Sequence, residues 1–191
     1  MGRSASDDDP ILDAARAAVL DFGVRRTTVS EVARRAGVSR MTVYRRHPDG
    51  RSLLRALMTR EFGALLERAQ DGAPDAGSGR ERLVAAAVRT VELLVTDPLL
   101  RRLLEVDAEL LLPYLTGEIG RFQRLARELL AAQLRAGQAD GSVRDGDRRL
   151  MAATCELAAR GLVLAAPALR RPQRTAGLAE LGRMLDAYLR P

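Results

Sequence analysis

Apolar residues recur at three- and four-residue spacing along the chain, and no window shows the every-second-residue alternation of a half-buried strand. A chain with that single period can bury its apolar stripes only by packing helix on helix, so the expected fold class is all-α. The punctuation divides it further. Gly23, Gly37, the Pro48-Asp49-Gly50 break, Gly137, Asp140-Gly141 and Ala166-Pro167 all sit where a helical pattern stops. The spacing predicts helices over residues 10–22, 28–36, 39–47, 51–68, 80–95, 98–112 (as one or two), 118–136, 145–166 and 174–189. Thr28 with Glu31 reads as a capping box opening the second helix, and Ser39 as the cap of the third. Residues 71–79, with three glycines, a proline and a serine, form the best linker candidate.

Composition bounds the function classes. In 191 residues, 47% hydrophobic and 29% charged residues are the balance of a globular protein with a real core. No apolar run approaches the roughly 18–20 residues that span a bilayer, so no membrane partner is expected. The first ten residues carry Asp7, Asp8 and Asp9 and no apolar signal core, so the expected compartment is the cytoplasm. One cysteine and one histidine cannot make an internal disulfide or a metal cluster. The chain has no lysine, no G-x-G-x-x-G and no Walker-type loop, and its single histidine lies in a basic motif rather than beside a nucleophile. Glu105 and Glu109 fall at i,i+4, as in an ordinary solvated helix face. Neither an enzyme nor a bound cofactor or metal is expected.

All 31 basic residues are arginine, so their placement informs more than their number. Residues 24–60 hold ten arginines against Glu31 and Asp49 alone, a local charge of +8 within a chain whose net charge is +6. A basic segment beside a near-neutral body is the footprint of a polyanionic partner. Inside that segment, residues 28–47 read T-V-S-E-V-A-R-R-A-G-V-S-R-M-T-V-Y-R-R-H. This is the pattern of two short helices joined by A-G-V-S, with Gly37 at the tight turn and Val32, Ala33, Ala36, Val38 and Val43 between them. The outward face of the second helix then carries Arg40, Met41, Thr42, Tyr44, Arg45 and Arg46. Those residue types suit a DNA groove: guanidinium for guanine edges, methionine for a thymine methyl, hydroxyls and guanidinium for phosphates.

Residues 11–62 resemble the DNA-binding domain of the TetR family. The matching pieces are I-L-D-A-A and F-G in the first helix, T-T-V-S-E-V-A-R-R-A-G-V-S in the second helix and turn, T-V-Y in the third, and L-L-R-A-L in the fourth. The resemblance implies an N-terminal three-helix domain with a helix-turn-helix over residues 10–56, and a helical ligand-binding and dimerisation domain over 57–191. It implies that Thr28 and Tyr44 anchor phosphates, that Ser30, Arg40, Met41, Thr42 and Arg45 face the major groove, and that Arg46 lies near the backbone. Two positions depart from the family pattern. His47 replaces an aromatic or aliphatic residue, and is open to three readings: a packed histidine, a phosphate contact or a pH-sensing group. Gly50 replaces a lysine that touches a phosphate, leaving that contact either to Arg51 or missing.

The second half is less specific. In the family its helices enclose an effector, and the last two pack on their twins in a homodimer. The resemblance places an unidentified small-molecule effector among residues 83–165, with Glu105, Asp107, Tyr114, Phe122, Gln123, Met151, Cys155 and Glu156 as the polar or oriented candidates. Aromatic residues make up only 3% of the chain, which favours an aliphatic cavity over a stacking one. Leu157, Gly161 and Leu162, with Leu178, Leu181 and Leu185, are the candidate dimer contacts; the alternative is that these stripes face only the chain's own core. The expected function is a repressor that binds a palindromic operator as a dimer and is released by its effector. The alternative is a DNA-binding regulator or activator without effector control.

Overall fold

The computed structural model of the protein describes residues 9–72, 77–106 and 121–191, leaving aside the side chains of Asp9, Arg121 and Phe122. Its elements are α1 (Asp9–Phe22), α2 (Val29–Arg35), α3 (Arg40–Arg46), α4 (Gly50–Asp71), α5 (Gly79–Thr96), α6 (Pro98–Val106), α7 (Arg121–Ala139), α8 (Arg148–Ala165), a 3-10 turn (Ala166–Ala168) and α9 (Arg171–Leu189). No strand occurs among the described residues, so the fold is all-α. The second half of the expected 98–112 segment lies outside the described residues.

The helices form two compact units, and the first is not continuous in sequence. It joins residues up to Glu61 with α6. Ile11 of α1, Val32 of α2, Val43 of α3 and Leu99 of α6 are fully buried in one cluster with Leu57 and Leu103. Each such aliphatic side chain contributes roughly 1.5–3 kcal/mol through burial. Leu99 and Leu103, one helical turn apart, give α6 the stripe that packs on α1.

The second unit takes residues 62–97 and the described residues from 121 onward. α5 packs against α7, α8 and α9, with Leu83, Ala86, Leu134, Met151, Cys155, Leu181 and Leu185 buried. The expected linker in fact ends in a helix start. Ser78 caps α5 in a complete capping box, its amide donating to Glu81 Oε2 at 2.7 Å. Two further α5 amides are satisfied from the loop after α7: Gly79 N–H donates to Asp140 Oδ2 at 2.7 Å and Arg80 N–H to Ser142 Oγ at 3.0 Å. The Ser142 hydroxyl and amide and the Gly79 amide hold the Asp140 carboxyl below its usual range.

Three helix ends differ from the sequence expectation, each for a physical reason. α7 runs through Gly137 to Ala139 instead of stopping before it. Gly137 serves close approach: a Cβ there would lie 2.4 Å from Val143 Cγ2, and one on Gly79 would lie 2.6 Å from Gly137 Cα. α9 starts at Arg171 rather than 174, because Pro172 fits the first turn, where no amide is needed. α8 starts at Arg148 rather than 145, with the Asp147 carboxylate accepting the amides of Arg149 and Leu150.

One expectation about membranes needs correction. Residues Arg148–Ala168 form a helix long and apolar enough to cross a bilayer by length and composition, with mean hydropathy 1.3. Glu156 and Arg160 interrupt its apolar run in sequence, but they pair with each other at 3.3 Å. Only 28% of this window is buried.

Candidate nucleic-acid interface

Two caps and one glycine fix the α2–α3 pair. Thr28 Oγ1 accepts the Glu31 amide at 3.2 Å, and Ser39 Oγ accepts the Thr42 amide at 3.0 Å. The turn closes as a Schellman motif: Val38 N–H donates to Ala33 O at 3.0 Å and Gly37 N–H to Arg34 O at 3.4 Å. Gly37 sits at φ +66°, a conformation a side chain disfavours. The capping box expected at Thr28 is only half formed, because the Glu31 carboxylate turns to Arg34 and Arg35 instead of back to the Thr28 amide.

With Val32 and Val43 fully buried between the helices, α3 must turn its other face outward. Met41 is 73% exposed and Tyr44 45% exposed, and Arg40 and Arg45 are exposed with them. Arg46 and Thr42 are half-buried, and the Thr42 hydroxyl shares a 2.8 Å hydrogen bond with Ser39. Thr28 is exposed and Ser30 half-buried at the start of α2. Because Thr28 Oγ1 already accepts an amide, its hydroxyl proton is left to donate to an anionic oxygen. His47 is 6% exposed at the foot of α3, which fits the packed reading of that residue.

The +8 of the sequence is not presented uniformly. Glu31 binds Arg34 at 2.6 Å and Arg35 at 2.7 Å, and Asp21 binds Arg35 at 2.8 Å. Hydrogen bonds from these two guanidinium groups hold the Glu31 carboxyl down at about 2. Asp13 and Glu61 bind Arg60 at 2.9 and 2.7 Å. Arg26 and Arg35 lie over the Phe22 ring at 5.9 and 5.1 Å. Among the described residues, no ion pair engages Arg40, Arg45, Arg51 or Arg55. The paired arginines brace the domain, and the unpaired ones give it an outward positive field. The E-x-x-R-R spacing of Glu31 carried the signal for that bracing; the partners Asp13, Asp21 and Glu61 come from elsewhere in the fold.

The candidates in the second half are scattered. Met151 and Cys155 lie one turn apart, both buried, and burial pushes the Cys155 thiol up to about 11. Beside them the buried Glu156 carboxylate accepts from Arg127 at 3.0 Å, a pair joining α7 to α8. Gln123 is half-buried on the first turn of α7. Glu105 is not brought to this group: it is exposed on α6, in the first unit, paired with Arg101 at 3.5 Å. Asp107, Tyr114 and the Phe122 side chain lie outside the described residues. A groove of about 590 Å³ lies between α5 and α9, lined by Glu81, Val84, Ala85, Gly182, Arg183, Asp186 and Arg190. It includes none of the expected effector residues.

The candidate dimer residues divide in two. Leu181 and Leu185 are 5% and 2% exposed and belong to the chain's own core. Leu157 is 51% exposed, Gly161 is exposed, and Leu162 and Leu178 are half-buried. Leu150 and Met184, 66% and 49% exposed, add to the outward apolar surface of α8 and α9, and their place there shows only once the helices are packed.

Comparison with known proteins agrees with this architecture. Residues 11–57 match the family described as bacterial regulatory proteins, tetR family. An uncharacterised HTH-type transcriptional regulator of Mycobacterium bovis is 40% identical over 180 residues, covering 94% of this chain and 92% of its own. The fatty acid degradation regulator FadR from Bacillus halodurans has the same fold, with a TM-score of 0.72 at 21% identity over 96% of each chain. The regulator FadR from Bacillus subtilis, solved in complex with stearoyl-CoA, superimposes with a TM-score of 0.70 at 19% identity, over 95% of this chain and 98% of that one. With a relative this similar along nearly its whole length, the chain belongs to the TetR family of transcriptional regulators.

Proposed function

We propose that this regulator is a repressor that binds a palindromic operator as a homodimer and leaves it when a small-molecule effector binds the second unit. The observation that carries the DNA reading is the outward face of α3: Arg40, Met41, Tyr44 and Arg45 stand exposed on a helix whose opposite side is locked by Val43. In this reading Arg40, Met41, Thr42, Arg45 and Ser30 meet base edges, and Thr28, Tyr44, Arg46 and Arg51 meet phosphates.

One seven-residue helix reads too few base pairs for specificity, and two heads on a two-fold axis solve this. Support for the dimer comes from the uncharged, exposed row Leu150, Thr154, Leu157, Gly161 on α8. Nothing in the chain lies within 4 Å of a Cβ built on Gly161, so that glycine is not required by internal packing. A second copy approaching there would gain close helix contact.

For the effector, Met151, Cys155 and Gln123 are the described candidates, with Tyr114 and Phe122 from the family placement; the exposed, paired Glu105 is the weakest. An aliphatic ligand suits a unit whose buried residues are leucine, alanine, valine and methionine. The stearoyl-CoA bound to a regulator of the same fold is in keeping with that chemistry. Such a ligand releases DNA only if it binds the DNA-incompetent conformer more tightly than the operator-bound one. α4, whose residues up to Glu61 belong to the first unit and those from Phe62 to the second, is the element able to carry the change.

Selection of bound duplexes from a random pool tests the reading. Two inverted half-sites, centred about 34–36 Å or a multiple of that apart, are expected. A single asymmetric site would overturn the dimeric operator. Footprints that never respond to cell metabolites would favour a regulator without effector control.

A further inference from the structure

We propose that Arg55, with Arg51, clamps a DNA phosphate at the start of α4, a contact from outside the helix-turn-helix; it rests on the operator-binding reading above. Both residues are exposed and lie four apart, so they share one face of the first two turns of α4. Only residues 47–49 separate this helix from the end of α3, which keeps the two arginines beside the reading head. Side chains on a helix lean toward its N-terminus, so the Arg55 guanidinium covers the turn that Gly50 begins. Gly50 offers no side chain there, and nothing lies within 4 Å of its Cβ position.

The one carboxylate nearby is already engaged. Asp49 Oδ1 accepts the Ser52 amide at 2.6 Å, and the Asp49 amide donates to Ser52 Oγ at 3.2 Å. That Ser52 amide bond is the main cause holding the Asp49 carboxyl below its usual range, and the charge of Arg55 adds to it, ahead of that of Arg51. Arg55 therefore reaches back to the helix start, while no ion pair among the described residues fixes either arginine. Two guanidinium groups facing one capped carboxylate leave a surplus positive charge suited to a phosphate oxygen. They carry no base-reading geometry, so the contact positions without specifying.

The test measures duplex affinity against salt for the full-length chain, Arg55→Ala, Arg55→Lys and Arg45→Ala, on a selected duplex and on a scrambled one. The expected result for Arg55→Ala is a weaker complex on both duplexes by the same factor. The slope of log K against log salt should become shallower by about 0.9 for each bound chain. Arg55→Lys should restore the slope, and Arg45→Ala should lose mainly the selected duplex. An Arg55→Ala protein with wild-type affinity and slope would overturn the clamp while leaving the operator reading standing. A loss confined to the selected duplex with an unchanged slope would overturn it too, by making Arg55 a base reader. If the wild-type chain ignores both duplexes, the operator reading itself fails, and the clamp with it.

Discussion

Gly37 and Gly50 are three and four residues from the two ends of the reading helix, and they answer differently to the same substitution. Neither has any atom within 4 Å of a built Cβ, so sterics with neighbours do not distinguish them. Backbone conformation does. Gly37 holds φ +66°, where a side chain costs about 1–2 kcal/mol, whereas Gly50 opens a helix that alanine favours. Gly37→Ala should lower unfolding free energy by that amount, and Gly50→Ala should leave it unchanged or raise it by about 0.4–1 kcal/mol, read from urea titrations. Equal effects at both sites would contradict the turn geometry. The role of Gly37 was legible from A-G-V-S alone, because a tight turn between two apolar-periodic segments needs a residue at ease with positive φ, and glycine is the residue there that is. The pairing of individual arginines was not. Whether Arg35 faces DNA or braces α1 depends on Asp21, fourteen residues away, and on the Phe22 ring.

At the scale of elements, the sequence marks helix ends well where a glycine takes positive φ, as Gly23 and Gly141 do, and badly where a glycine admits a neighbouring backbone. Gly137 is of the second kind. Its absent Cβ leaves room for Val143, and the Gly79 backbone of α5 meets α7 at the same point. Alanine in a helix interior ordinarily gains about 1 kcal/mol over glycine. Here Gly137→Ala should instead destabilise by about 1–3 kcal/mol through overpacking, measured by thermal or urea unfolding. A stabilised variant would show that α5 and α7 do not approach so closely. The apolar stripe of α9 illustrates a related ambiguity. Spacing groups Leu178, Leu181 and Leu185 on one side, but a stripe of that width has an inner and an outer edge. Only packing shows that Leu181 and Leu185 lie on the inner edge.

For the whole molecule, function requires two reading heads held at a fixed separation. The exposed Leu157 on α8 should sit in the contact between copies, so Leu157→Arg should give a folded monomer by sedimentation, with specific DNA affinity lost together with the dimer. A variant that stays dimeric would move the interface elsewhere. The all-α class and the reading helix were visible in sequence because period, caps and residue types agreed along residues 28–47. The effector site was not, since aliphatic core and aliphatic cavity wall share one composition. The most direct measurement is the affinity of Arg45→Ala and Tyr44→Ala for a selected duplex, beside circular dichroism of the same preparations. Both side chains are exposed on α3, so the substitutions should leave helicity and melting intact while weakening binding at least tenfold, about 1.4 kcal/mol or more. Wild-type affinity in both variants would contradict the assignment of α3 as the element that enters the groove.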